Sequence, residues 1–273
     1  MRKRKVLIVT QEMLPYTAST QIAEVARYLP QYVQENGMEI RVLMPRFGAI
    51  NERRHRLHEV VRLSGMNIIV DDDDYPLVIK VASLPEGRMQ VYFLDNEDFF
   101  RRKHIFLDDE GTPFDDNAER MVFFCKGVIE TVKKFGWAPD IIHCHGWMTS
   151  LVPLFLKTTY KTEPLFQPAK VVYSVYDEPL GATLEGGGFL EKALRNNIGQ
   201  DNLLVYQDEK GIALQHGAMA FADAVVQGSE HLEESVQQHI QGLGKPVLPF
   251  QGDRYLEAIL EFYQTILPEK TAE

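Results

Sequence analysis

The sequence predicts an α/β fold built on a doubly wound, mainly parallel sheet. Two observations carry this. Short β-branched runs alternate with stretches whose apolar residues recur at helical spacing, and several of the runs end in polar, loop-forming residues. With 273 residues, 45% of them hydrophobic, the chain can bury one sizeable core.

Lys5–Thr10 (KVLIVT) reads as a buried parallel strand. After a polar loop, Ile22, Val25, Ala26, Leu29 and Val33 define a helix that Asn36-Gly37 terminates. Residues 40–44 supply the second strand. Residues 57–94 break the alternation with strand-like runs around Val60, 68–70, 78–81 and 91–94, which predicts an inserted β-hairpin unit with 71–74 at a tip. Four successive aspartates there form a solvated turn rather than a calcium loop, since EF-hand spacing is absent.

Beyond the insertion, Asp116 is expected to cap a helix reaching about Phe135. A strand over 140–143 feeds a helix over 147–157. Strands at 171–175 and 223–226 flank a helix over 210–221, and a further helix is expected from Ser229. The last element, 254–267, is amphipathic through Leu256, Ile259, Leu260, Tyr263 and Leu267. These units make the expected fold Rossmann-like, with ligands at the carboxyl ends of the parallel strands.

Charge narrows the ligand classes. The formal net charge of -10 leaves no basic stripe to displace counterions from nucleic acid. Such a surface suits a neutral substrate, or a phosphate ester held by local contacts. No apolar run nears the ~20 residues that span a bilayer, and the N-terminus runs straight into a strand. A cytoplasmic protein with no membrane partner is therefore expected. Cys125 and Cys144 lack CxxC neighbours, so neither a disulfide framework nor a zinc site is expected.

Three strand ends are chemically rich: 10–19, 143–149 and 174–179. In an open α/β sheet they converge on one crevice. His143 and His145 would share one face of their strand, and hydrogen-bonded histidines are favoured over metal ligands because no further ligand spacing accompanies them. Glu12 follows the first strand, where it could meet a sugar hydroxyl or a helix N-terminus. Gly186, Gly187 and Gly188 match neither a P-loop nor a dinucleotide fingerprint and read as a flexible loop. Ser174 lacks a G-x-S-x-G context.

The same strand ends resemble those of the glycogen/starch synthases, retaining glucosyltransferases with two facing Rossmann-like domains, the GT-B architecture. The resemblance lies in VYFLDN (91–96), FDDNAERMVFF (114–124) and PDIIHCHGWMTSLVPLFLK (139–157), with a weaker match in GIALQHGAMAFADAVVQGSEHL (211–232). It implies that 1–273 form a single N-terminal domain of that kind. The closing stretch, 254–267, is similar to the terminal helix that crosses back onto the first domain in GT-B proteins.

Departures from the family pattern shape the functional expectation. The family's Lys-Thr-Gly-Gly-Leu loop stands here as Tyr16-Thr17-Ala18-Ser19-Thr20, losing the lysine and both glycines that let backbone approach the phosphates of ADP-glucose. Asp-Trp-His stands as Gly146-Trp147-Met148, and Ile-His-Asn as Val175-Tyr176-Asp177. The C-terminal nucleotide-sugar domain is expected to be absent, since only some thirty residues follow Gln241. The leading expectation is thus a degenerate or half-enzyme of glucan metabolism with an acceptor-side site for a glucan or maltooligosaccharide, inactive or nearly so as an isolated chain. ADP-glucose is not expected to bind strongly. The alternatives are a working synthase completed by a second polypeptide that supplies the C-terminal domain, and a regulatory subunit, such as a homodimer, that uses the exposed interdomain face.

Candidate sugar or nucleotide-sugar contacts are Glu12, Tyr16, Thr17, Ser19, His145, Trp147, Tyr176 and Asp177, with Tyr92 and Asn96 as weaker acceptor contacts. Trp147 could equally serve the core, and Asn117 and Arg120 could hold the loop before the long helix. No catalytic residue, metal or cofactor is assigned.

Overall fold

A computed structural model describes residues 2–84, 89–178, 184, 198–208 and 211–268. The loop expected at Gly186 to Gly188 lies outside the described residues. The strands, in chain order, are β1 (Lys5–Thr10), β2 (Glu39–Pro45), β3 (His58–Glu59), β4 (Met66–Val70), β5 (Asp73–Ser83), β6 (Gln90–Asp95), β7 (Ile141–His145), β8 (Lys170–Val175), β9 (Gln207–Asp208), β10 (Gly211–Ile212), β11 (Ala224–Gln227) and β12 (Val247–Leu248). Ten of them form one sheet in the order β12-β11-β8-β7-β1-β2-β6-β5-β3, with β4 paired to β5.

The sheet is parallel from β12 through β6 and antiparallel where β5 joins β6, β3 and β4. β1, β7 and β8 are buried on both faces, as strands covered by helices must be. The antiparallel edge is the inserted hairpin unit. β4 and β5 pair Val70 with Asp73, which puts Asp71 and Asp72 at the tip, and Asp71 adopts a positive φ of 59° there.

Helix Gln21–Glu35 starts where Thr20 Oγ1 accepts from the Ala23 amide at 3.0 Å, and stops before Gly37 at φ +87°. Its buried face includes Ile22, Val25, Ala26, Leu29 and Val33. Helix Asn117–Phe135 lies in the core. Within it the buried Arg120 guanidinium donates to Phe99 O at 2.8 Å and to Asn117 Oδ1 at 2.6 Å, between the rings of Phe47, Phe100 and Phe114. Burial lowers the pKa of Arg120 to about 10. Asn117 Nδ2 donates to Phe106 O at 3.0 Å, so this pair holds the loop before the helix.

Three local expectations need correction. Asp116 occupies the N-cap position of its helix but makes no capping bond, because its carboxylate is taken by Arg102. The stretch expected to be helical from Lys210 pairs Gly211–Ile212 with Gln207–Asp208, and the helix covers Leu214–Phe221. Tyr206 decides that boundary: its carbonyl accepts from the Ala213 amide at 2.7 Å, and its ring fills the space that a Cβ on Gly217 would occupy. Ser229 does not begin a helix. Its hydroxyl bonds Gln21 and the Asp177 amide, and the next helix is Glu234–Gly242.

The last helix, Tyr255–Ile266, packs beside Gln21–Glu35 and buries Ala258, Ile259, Leu260 and Tyr263. No helix among the described residues is long and apolar enough to cross a membrane.

Candidate functional site

Chain order reverses at β1: β2 and β6 continue to one side, β7 and β8 to the other. The carboxyl ends of β1 and β7 therefore flank the crevice where doubly wound folds place ligands. Gln11 stitches the two ends together. Its amide donates to His145 O, its Oε1 accepts from the Met148 amide at 3.1 Å, and its Nε2 donates to Glu178 Oε1 at 2.8 Å. Gly146, at φ +86°, makes room for this: a Cβ there would sit 2.3 Å from Gln11 Cδ. The Gln11 side chain thus fills the space beside the position where the resemblance implies an aspartate.

His143 and His145 share a face of β7, with ring centroids 4.0 Å apart. His143 Nδ1 lies 2.6 Å from the Tyr263 hydroxyl and Nε2 lies 2.7 Å from Ser174 Oγ. His145 Nδ1 lies 2.9 Å from the Tyr176 hydroxyl. Burial lowers the pKa of both rings, that of His145 to about 3, so both are neutral at pH 7. They act as buried hydrogen-bonding groups, in line with the reading from sequence. Among the described residues no group of three or more His, Cys, Asp or Glu could hold a metal.

Above them opens a cavity of about 220 Å³ lined by Gln11, Glu12, Thr20, Gln21, Ile22, Phe106, Tyr176, Asp177 and Glu178. No lysine or arginine is among these residues. Burial raises the pKa of Glu12, partly offset by bonds from Thr20 and Gln11. Burial also pushes Glu178 up to about 8, with the nearby charge of Glu12 adding to the rise. At neutral pH Glu178 is therefore mostly a carboxylic acid, able to donate as well as accept.

The N-terminus of helix Gln21–Glu35 opens at this cavity with acidic groups already against it. Glu12 Oε2 accepts from Thr20 Oγ1 at 3.2 Å, and Ser19 Oγ donates to Glu24 Oε1 at 2.7 Å. Thr17 Oγ1 accepts from the Met13 amide at 3.1 Å. The hydroxyls of Thr17, Ser19 and Thr20 are thus all engaged within the loop and the start of the helix.

Of the candidate contacts, Glu12, Tyr176 and Asp177 line the cavity. His145 and Trp147 are buried behind it, the Trp147 ring 5.0 Å from that of Phe106. Tyr16 packs edge-on against Phe93 and His55, and burial pushes its pKa up to about 12. Thr17 and Ser19 lie in the loop beside the cavity without lining it. Tyr92 and Asn96 stand apart from it: Tyr92 bonds Gln90 and packs on Phe135, while Asn96 caps helix Glu97–Phe100 and donates to Pro76 O.

The sequence reading did not single out Gln11, Thr20, Gln21, Phe106 or Glu178. Gln11, Glu178 and Thr20 fall in or next to the polar strand ends, where a wider candidate set would have found them. Phe106 carries no local signal, since its place follows from the Asn117 bond.

A parallel sheet with this switch point, an antiparallel edge and a returning terminal helix defines the Rossmann-like N-terminal domain of a GT-B glycosyltransferase. The catalytic domain of Starch Synthase IV from Arabidopsis thaliana, solved with ADP and acarbose, superimposes with a TM-score of 0.72 at 18% identity, covering 91% of this chain and 51% of that one. The chain belongs to the starch synthase catalytic domain family, whose model matches residues 5–246. Glycogen synthase of Chlorobium luteolum is 35% identical over 89% of this chain and 49% of its own length. That of Chlorobaculum tepidum is 35% identical over 97% of this chain and 53% of its own. The chain thus spans about half the length of these relatives.

Proposed function

We propose that the crevice binds a neutral α-glucan as a maltooligosaccharide, and that this chain alone neither binds ADP-glucose strongly nor transfers glucose from it. The observation that carries the reading is the Glu12–Thr20 contact at the N-terminus of helix Gln21–Glu35. A helix N-terminus attracts phosphate through its free amides and positive dipole end. Here Thr20 satisfies the Ala23 amide, and Glu12 and Glu24 supply negative charge where a diphosphate would need positive charge. Ala18 and Ser19 also carry side chains where the family's glycines let backbone come close.

The same groups suit sugar hydroxyls. Glu12 and Asp177 accept, the protonated Glu178 donates or accepts, and the Phe106 and Tyr176 rings offer apolar walls. Glucosyl transfer depends on placing the donor and stabilising the leaving diphosphate, where one well-placed donor is worth ~3 kcal/mol. Loss of several such donors leaves little catalysis in this chain.

Calorimetric titration with maltoheptaose and, separately, with ADP-glucose tests the reading. Binding of the oligosaccharide without the nucleotide sugar is expected. Tight ADP-glucose binding, or steady glucan elongation by the pure protein, would overturn it.

The span of the match favours a second reading: a synthase whose other half, wherever it is encoded, completes the donor site. Adding the C-terminal half of a relative's glycogen synthase would then restore transfer, and an inert mixture would count against it.

A further inference from the structure

A second cavity adjoins the crevice and shares Gln21 and Tyr176 with it. Its volume is about 240 Å³. One side is formed by the ends of β8 and β11, through Ser174, Val226, Gln227 and Gly228. The other is formed by the segment running from Leu248 through Phe250, Gln251 and Asp253 to Tyr255, past the residues that the family model matches. From the geometry we infer that this closing segment builds a second sugar subsite, continuous with the first, so that a linear neutral oligosaccharide lies across Gln21 and Tyr176 and is held on both sides. This deepens the proposed function and rests on it.

The partition between the cavities is fixed. Gln21 Nε2 donates to Gly228 O at 2.7 Å, and Gln21 Oε1 accepts from Ser229 Oγ at 2.7 Å. The Tyr176 ring lies against Gly228, where a Cβ would come within 2.4 Å of it. Both residues thus present set surfaces to either side without local rearrangement.

The lining of the second cavity selects the ligand. Gln227 Nε2 spends both donors, on Ser229 O at 3.1 Å and Glu230 O at 3.3 Å, and Gln251 Nε2 gives one of its two to Pro249 O at 2.9 Å. What they present are mainly carbonyl oxygens, joined by the carboxylates of Glu24 and Asp253. Among the described residues no lysine, arginine or histidine lines the space. An acceptor-rich wall without a cation disfavours phosphates and suits hydroxyl donors, while Phe250, Tyr176 and Tyr255 provide aromatic faces. Small-molecule sites usually occupy roughly 300–1,000 Å³. Neither cavity reaches that range alone, and the two in series do.

Titration of the protein with glucose, maltose, maltotriose and maltotetraose tests this, in the wild type and in Phe250→Ala and Asp253→Ala. Asp253 is exposed, so its variant should fold even if Phe250→Ala does not. Affinity should rise at least tenfold along the wild-type series. In each folded variant the rise should shrink to threefold or less, with glucose binding unchanged. A flat wild-type series with glucose still bound, or a rise that survives both substitutions, overturns the second subsite and leaves the crevice reading intact. Absence of binding by any of the four sugars, and by maltoheptaose, overturns both.

Discussion

The Tyr263 hydroxyl lies 2.6 Å from His143 Nδ1, which ties the last helix to the middle of the sheet. Both residues are fully buried. The other ring nitrogen of His143 meets Ser174 Oγ, so a neutral imidazole finds a partner on each side whichever nitrogen holds the proton. Removing the hydroxyl leaves one buried imidazole nitrogen unpaired. Tyr263→Phe should therefore lower unfolding free energy by about 1–3 kcal/mol, read as a shift in urea midpoint at constant slope. An unshifted midpoint would show that the contact contributes nothing net.

Stability should depend on pH in a way that isolates Glu178. Its folded pKa stands near 8, above the ordinary 4.5, because burial disfavours its charged form. Between these values the unfolded chain holds fewer protons at this site, so stability falls as pH rises. His143 and His145 are shifted the other way, below 6.5, and cost stability as pH falls beneath that value. The two trends oppose each other between 4.5 and 6.5, leaving the carboxyl trend from 6.5 to 8. Lys126, lowered by burial to about 8, acts mainly above that window. Thermal midpoints should decline from pH 6.5 to 8 in the wild type and decline less in Glu178→Gln. Equal slopes in the two proteins would remove Glu178 as the cause.

Much of the fold was legible because its signals are local. KVLIVT could only be a covered strand, and β1 occupies those residues. Asp71 and Asp72 sit at a hairpin tip as expected, while Asp73 and Asp74 already belong to β5, and the two histidines do share one face of β7. What escaped was settled at long range. Asp116 looks like a cap until Arg102 takes its carboxylate, and the start of the Leu214–Phe221 helix depends on Tyr206. Phe106 reaches the crevice through Asn117, and Tyr263 reaches His143 across 120 residues of sequence. For the candidate contacts, sequence position located the strand ends but not the direction of each side chain. Tyr16 therefore packs into the core while Glu12, earlier in the same loop, lines the cavity.

Thr20 serves two groups at once, capping the helix and donating to Glu12. Thr20→Ala should cost ~1 kcal/mol of stability through the lost cap. It should also push the Glu12 pKa further up, since a bond that favours the carboxylate disappears. Carboxyl titration followed by NMR would detect that movement, and a Glu12 pKa that stayed put would show the 3.2 Å contact to be electrostatically idle. Thr20→Ser keeps the hydroxyl and should restore both properties.

Gly146 and Gln11 make the sharpest steric prediction. Gly146→Ala imposes two separable costs: an L side chain at φ +86°, worth roughly 1–3 kcal/mol, and a Cβ 2.3 Å from Gln11 Cδ. The second cannot be relieved cheaply, because Gln11 is fixed at both ends of its amide by Met148 and Glu178. If Gln11 moves, it breaks the bonds that join β1 to β7 and shape the crevice floor. The single variant should therefore lose both stability and oligosaccharide affinity. In Gln11→Ala/Gly146→Ala the clash is gone and the φ strain remains, so the double variant should be more stable than Gly146→Ala alone would suggest by addition. A double-mutant cycle measures that coupling directly. Simple additivity would mean that the glycine is required for its backbone angle alone, and that Gln11 is free to yield.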